Sequence, residues 1–121
     1  MPDKEQQIWD SLASKEYREA IAIEDVNISL ALQIRRMRKK LEWSQAYLAS
    51  YLGKSQSMIS HWENPDYGQH GIKALRELAA TFDVALAIRF IPFSELVKDI
   101  LNLSERKLCP PSFTEERDNK I

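Results

Sequence analysis

Gln56, Ser57 and His61 are polar side chains spaced along one face of a short helical pattern, behind a glycine turn. Their chemistry suits reading rather than bond-making. A glutamine can pair bidentately with adenine N6 and N7, a serine can serve any base, and a histidine one turn on could meet a guanine or a phosphate. Around them the stretch Ser44 to Asn64, SQAYLASYLGKSQSMISHWEN, supplies further hydrogen-bonding groups and one lysine, Lys54, in the turn itself. Nothing here resembles a catalytic constellation. The chain has no phosphate-binding glycine loop, no Ser/His/Asp spacing of note and only two histidines, so it is not expected to be an enzyme or to carry a cofactor. His61, His70 and Cys109 match no zinc spacing, and no metal is expected.

Two helices must hold those side chains in place. Gln45 to Leu52 reads as the first, ended by Gly53, which can take the positive φ of a tight turn. Ser55 can cap the second, leaving Gln56 and Ser57 on its exposed first turn. Ala49 is small where the helices cross, and Leu48, Leu52, Ile59 and Trp62 supply the apolar contacts. This is the helix-turn-helix layout, in which the second helix offers its N-terminal side chains to the DNA major groove.

Charge is distributed as such a role requires. The 121 residues carry a net charge of −1, but residues 1–27 hold 3 basic against 7 acidic side chains, residues 28–76 hold 8 against 3, and residues 77–121 hold 6 against 8. The positive excess coincides with the helix-turn-helix pattern, where phosphates would be neutralised. RRMRKK, Arg35 to Lys40, can also be read as a solvated helix face. A hydrophobic fraction of 44% suffices for one core, and no apolar run reaches membrane-span length. The acidic start MPDKEQQIWD is unlike a secretory leader, so a cytoplasmic, nucleoid-associated location is expected.

The rest of the chain divides into flanking pieces. Residues 1–27 suit an acidic helical extension of one or two short helices, with a break near Ser14. Residues 28–83 form the DNA-binding unit: a helix with Leu30, Ile34, Met37, Arg38 and Leu41 on one face, capped by Asn27 or Ser29, then the motif, then a turn-rich loop, then a helix over about 72–82. Val84, Leu86, Ile88 and Phe90 alternate with Ala85, Ala87, Arg89 and Ile91, the period of a strand. Pro92 stops it, and a helix over about 94–102 follows. One strand cannot satisfy its own edges, so 84–91 is expected to pair with its twin in a homodimer, with Leu86, Ile88, Phe90 and Leu96 at the interface. Residues 103–121, with Pro110-Pro111 and TEERDNK, read as a flexible tail.

IRRMRKKLEWSQAYLASYLGKSQSMISHWEN followed by KALRELAATFDV resembles the Xre/Cro/C1 group of helix-turn-helix regulators, which includes phage repressors, Cro proteins and some antitoxins. The likeness spans roughly residues 30–84. It implies a mainly α, lambda-repressor-like bundle of four to five helices, here with one C-terminal strand. It implies phosphate contacts from Gln45, Ser44, Ser55 and Asn64 and base contacts from Gln56, Ser57 and His61. A buried ion pair between Arg38 and Glu63 is also implied, and an arginine on an otherwise apolar helix face makes it physically sensible. The loop NPDYGQH departs from the group's basic loop, since Asp66 would repel phosphate; Tyr67, His70 and Lys73 are candidates in its place, and Lys54 is a further phosphate partner.

The reading that follows is a dimeric, sequence-specific regulator, a repressor, on a palindromic double-stranded operator. Two alternatives stand beside it: an antitoxin that neutralises a protein toxin and represses its own operon, and a protein-interaction module that binds no DNA.

Overall fold

A computed structural model describes residues 3–119. The outermost residues of the expected extension and tail, 1–2 and 120–121, lie outside that range. Among the described residues there are eight helices and no strand: α1 (Lys4–Ser11), α2 (Lys15–Lys40), α3 (Gln45–Leu52), α4 (Gln56–Trp62), α5 (Ile72–Phe82), α6 (Phe93–Leu101), α7 (Glu105–Leu108) and α8 (Phe113–Asn119).

Local capping explains most boundaries. Ser14, Ser44, Ser55 and Ser104 each accept an amide from the first turn of the helix they precede, opening α2, α3, α4 and α7. Gly53 closes α3 at φ +66°, a left-handed conformation that costs glycine nothing. Asp83 closes α5 at φ +58°, a position that a short polar side chain tolerates.

The break at Ser14 is present, but α2 then runs unbroken for 26 residues, so no helix starts at Asn27 or Ser29. Both halves of α2 are held by tertiary packing, which outweighs the weak helix-starting preference of those two residues. The second half packs against α4 and α5, where Ile34, Leu48, Ala49, Ile59, Trp62, Leu75, Leu78 and Phe82 form the core. Near the first half, Arg18 donates to the Leu12 carbonyl at 2.9 Å and places its guanidinium over the Phe93 ring. α1 packs on α6, with Leu12, Leu96 and Val97 buried.

Residues 84–91, expected as a strand, adopt no regular secondary structure and pair with no other segment among the described residues. The segment leaves the core at Phe82 and returns to the helical stack at Phe93, beside Arg18. Val84 and Leu86 pack on the core while Ala85 and Ala87 face out. That one-sided packing accounts for the two-residue alternation; a ladder needs a second strand, and this chain has none among its described residues.

Residues 103–119, expected as a tail, instead fold back as a strap on α2 and the end of α5. Gln33 donates to the Lys107 carbonyl at 2.7 Å, Lys40 meets Glu115 at 2.8 Å, and the Phe113 amide donates to the Asp83 carbonyl at 2.8 Å. Cys109, within the strap, is buried.

Candidate nucleic-acid interface

The inner side of the helix pair is fixed by one charged cluster. Arg38 is 7% exposed and grips Glu63 with two hydrogen bonds, Nε to Oε2 at 2.6 Å and Nη2 to Oε1 at 2.9 Å. Its remaining Nη1 donates to the Trp43 carbonyl at 2.7 Å, and Gln45 Nε2 donates to Glu63 Oε1 at 3.2 Å. One carboxylate thus ties α2, the start of α3 and the end of α4 together. The hydrogen bonds that Arg38 donates to Glu63 raise its guanidinium above its ordinary value, against burial, which acts the other way. Ile59 and Trp62 are buried on the same inner side of α4.

The outer side of α4 is polar and bare. Gln56, Ser57 and His61 are all exposed there. Ser60, one turn on from Gln56, is exposed beside them; its i+4 spacing was the available signal, and the sequence reading passed over it. His61 lies flat on Tyr67, ring centroids 5.2 Å apart and planes 8° from parallel. Tyr67 in turn meets His70 edge-on at 5.8 Å and directs its hydroxyl at Met58 Sδ, 4.0 Å away. His70 is bonded to the Trp62 carbonyl at 2.7 Å. The loop after α4 is thus an aromatic buttress behind the His61 imidazole, and Tyr67 spends its polar atom inside that buttress.

The candidate phosphate contacts flank this face. Ser44 and Ser55 are exposed at the starts of α3 and α4; each Oγ accepts one amide, at 3.0 and 3.2 Å, and keeps its proton free to donate outward. The free amides of a helix N-terminus add to an anion's attraction at both places. Asn64 is exposed, with Oδ1 accepting the Asp66 amide at 2.9 Å and its side-chain NH2 unused. Lys54 is exposed in the turn, 3.9 Å from Glu77. Gln45 is half-buried and committed to Glu63, so it braces the cluster as well as standing at the start of α3.

The basic run before the motif is divided between two jobs. Arg38 is internal, and Arg36 and Lys40 pair with Glu105 at 3.4 Å and Glu115 at 2.8 Å from the strap. Arg35 and Lys39 are exposed with no carboxylate partner among the described residues. Of the residues expected at a subunit interface, Leu96 is buried within the chain, Leu86 packs partly on the core, and Ile88 and Phe90 are exposed.

Residues 34–88 match the family model described as Helix-turn-helix, which takes in the last two turns of α2, α3 to α5 and the first residues of the segment that follows. No curated protein and no solved structure matches the chain. No helix among the described residues is long and apolar enough to cross a membrane.

Proposed function

Because residues 34–88 belong to the Xre/Cro/C1-like helix-turn-helix family, we propose that the protein is a sequence-specific DNA-binding regulator that represses by occupying its operator. α4 enters the major groove, and Gln56, Ser57 and His61 read base edges, with Tyr67 holding the His61 ring in place. Ser44, Gln45, Lys54, Ser55 and Asn64 engage phosphates on either side and set the register. The observation that carries this reading is the asymmetry of α4: its inner side is locked by the Arg38–Glu63–Gln45 cluster and its outer side is polar and uncovered. A rigid helix with a free polar face costs little to order on binding. On a palindrome, two copies would meet half-sites one turn, ~34 Å, apart.

Selection from a random duplex library at low salt tests the proposal. An enriched sequence with two half-sites is expected. Gln56→Ala should relax the preference at one position per half-site, worth ~1–3 kcal/mol of discrimination, while Lys54→Ala should weaken all sequences alike. Absence of any enriched sequence would overturn the reading. Equal, sequence-blind losses in both variants would remove Gln56 from base reading.

A further inference from the structure

His61 is exposed on α4, yet its ring is held from behind. The imidazole lies parallel to the Tyr67 ring, planes 8° apart and centroids 5.2 Å apart, an offset stack that covers one of its faces. Tyr67 is itself fixed: its amide donates to the Asn64 carbonyl at 3.0 Å, its hydroxyl points at Met58 Sδ, and His70 meets it edge-on. His70 donates from Nε2 to the Trp62 carbonyl, because a carbonyl only accepts, so this anchor holds whether or not His70 takes a second proton. The stack sets the plane of the His61 ring and leaves its edge to meet a ligand. That edge is uncommitted: neither ring nitrogen has a hydrogen-bond or ion-pair partner among the described residues.

The surroundings of the ring can host a positive charge. Tyr67 turns a π face to it, within the ~6 Å reach of a cation–π contact. His61 also stands in the last turn of α4, the helix end that attracts cations. Of the other ionisable groups of α4 and its loop, Glu63 is turned inward onto Arg38, Asp66 is exposed next to Tyr67 in the chain, and His70 meets Tyr67 rather than His61. α3, which packs on α4, contributes Tyr47 and Tyr51 but no charged residue, and α2 reaches α4 through the buried Arg38.

We propose that His61 selects a guanine in each half-site, donating to it as the imidazolium, so that operator binding takes up a proton from solvent. The inference rests on the DNA-binding reading and names the base that this part of the site takes. A doubly protonated imidazole has two N–H donors and no acceptor. Guanine is the base whose major-groove edge offers two acceptors, N7 and O6, and no donor. Adenine sets its N6 amino group beside N7, cytosine offers its N4 amino group, and thymine flanks O4 with a methyl. The residue types alone leave guanine and phosphate both open to this histidine. The stack favours the base, because Tyr67, directed at Met58, holds the imidazole against α4, one turn on from Ser57. In the free protein the ring edge faces water; in the complex it faces guanine acceptors within the field of the phosphates. The bound form therefore keeps the proton better than the free form, and affinity falls as pH rises through the range in which imidazole loses its charge.

The probe is the duplex recovered by random-library selection at about pH 6, and its affinity is compared between about pH 6 and about pH 8 at constant salt. Wild type is expected to lose about tenfold in affinity per bound chain over that range. His61→Gln, a donor that is never a cation, should bind equally at both pH values, and thermal melting should report its fold intact. Tyr67→Leu should diminish the pH dependence, and Tyr67→Phe, which keeps the ring, should restore it. Replacing each guanine of the half-site in turn with 7-deazaguanine, which lacks N7, should diminish it at one position in wild type and change nothing further in His61→Gln. A wild type that binds equally at both pH values, or a dependence that survives His61→Gln, would overturn the proposal. A dependence undiminished by every guanine replacement would assign His61 to a phosphate and overturn the guanine role, and one undiminished in Tyr67→Leu would overturn the role of the stack. Sequence-selective binding that ignores pH leaves the DNA reading standing while this inference fails; the absence of any selected duplex overturns both.

Discussion

Arg38 and Glu63 are the residues on which the pose of α4 depends. Their pair is almost fully withdrawn from water, so each charge is tolerable only because the other is present. Arg38→Met alone leaves the Glu63 carboxylate buried with only Gln45 as donor, and should cost ~3–5 kcal/mol of stability. Arg38→Met with Glu63→Met should recover most of that loss, since replacing both partners with apolar groups removes the stranded charge. Chemical denaturation of the two variants checks both statements. The pair was legible because the family resemblance puts an ion pair at these two positions; an arginine on an apolar helix face agrees with it but does not by itself single out Glu63. The stack of His61 on Tyr67 was not: the sequence places Tyr67 in a loop, and nothing local says that its ring turns back onto the helix.

Elements divide by whether their causes are local. α3, α4 and α5 were readable to the residue or nearly so, since Ser44, Gly53 and Ser55 mark their ends and an apolar stripe marks each inner face. α2 was read too short, because Asn27 and Ser29 look like caps while the contacts that carry the helix past them come from distant parts of the chain. The strap over residues 103–119 was missed for the same reason: it is held by ion pairs and single hydrogen bonds to Gln33, Arg36, Lys40 and Asp83. The strap makes its own prediction. Hydrogen bonding from Lys40, followed by that from the Ser112 amide, lowers the Glu115 carboxyl below its ordinary 4.5. In the folded chain it therefore stays ionised where an unfolded chain has begun to take up protons. Its contribution is fully present above about 4.5 and is lost as pH falls through the lowered folded-state value. A carbon-detected NMR titration should place the Glu115 midpoint below 4.5 in wild type and return it upward in Lys40→Met. Burial also pushes the Cys109 thiol above its ordinary range, so it should react slowly with alkylating reagents at pH 8. Glu115→Gln should speed that reaction by loosening the strap; an unchanged rate would separate Cys109 burial from the Lys40 contact.

At the scale of the whole molecule, a net charge near zero conceals a division of labour. The strap absorbs part of the basic charge of α2 through Arg36–Glu105 and Lys40–Glu115, while Arg35 and Lys39 stay exposed with no carboxylate partner among the described residues. Binding should accordingly weaken with salt, and Lys54→Ala should lower the slope of log affinity against log salt by about 1. Residues 84–91 belong to this scale as well: their alternation was visible in the sequence, but whether they pair is a property of two molecules rather than one.

The most direct test of the central claim is an amide chemical-shift map of the 15N-labelled protein titrated with a duplex recovered by selection. Perturbations should concentrate at Gln56, Ser57, Ser60 and His61, with a flanking set at Ser44, Gln45, Lys54 and Asn64. A map centred on α1, α6 or the strap, with the outer side of α4 unmoved, would contradict it.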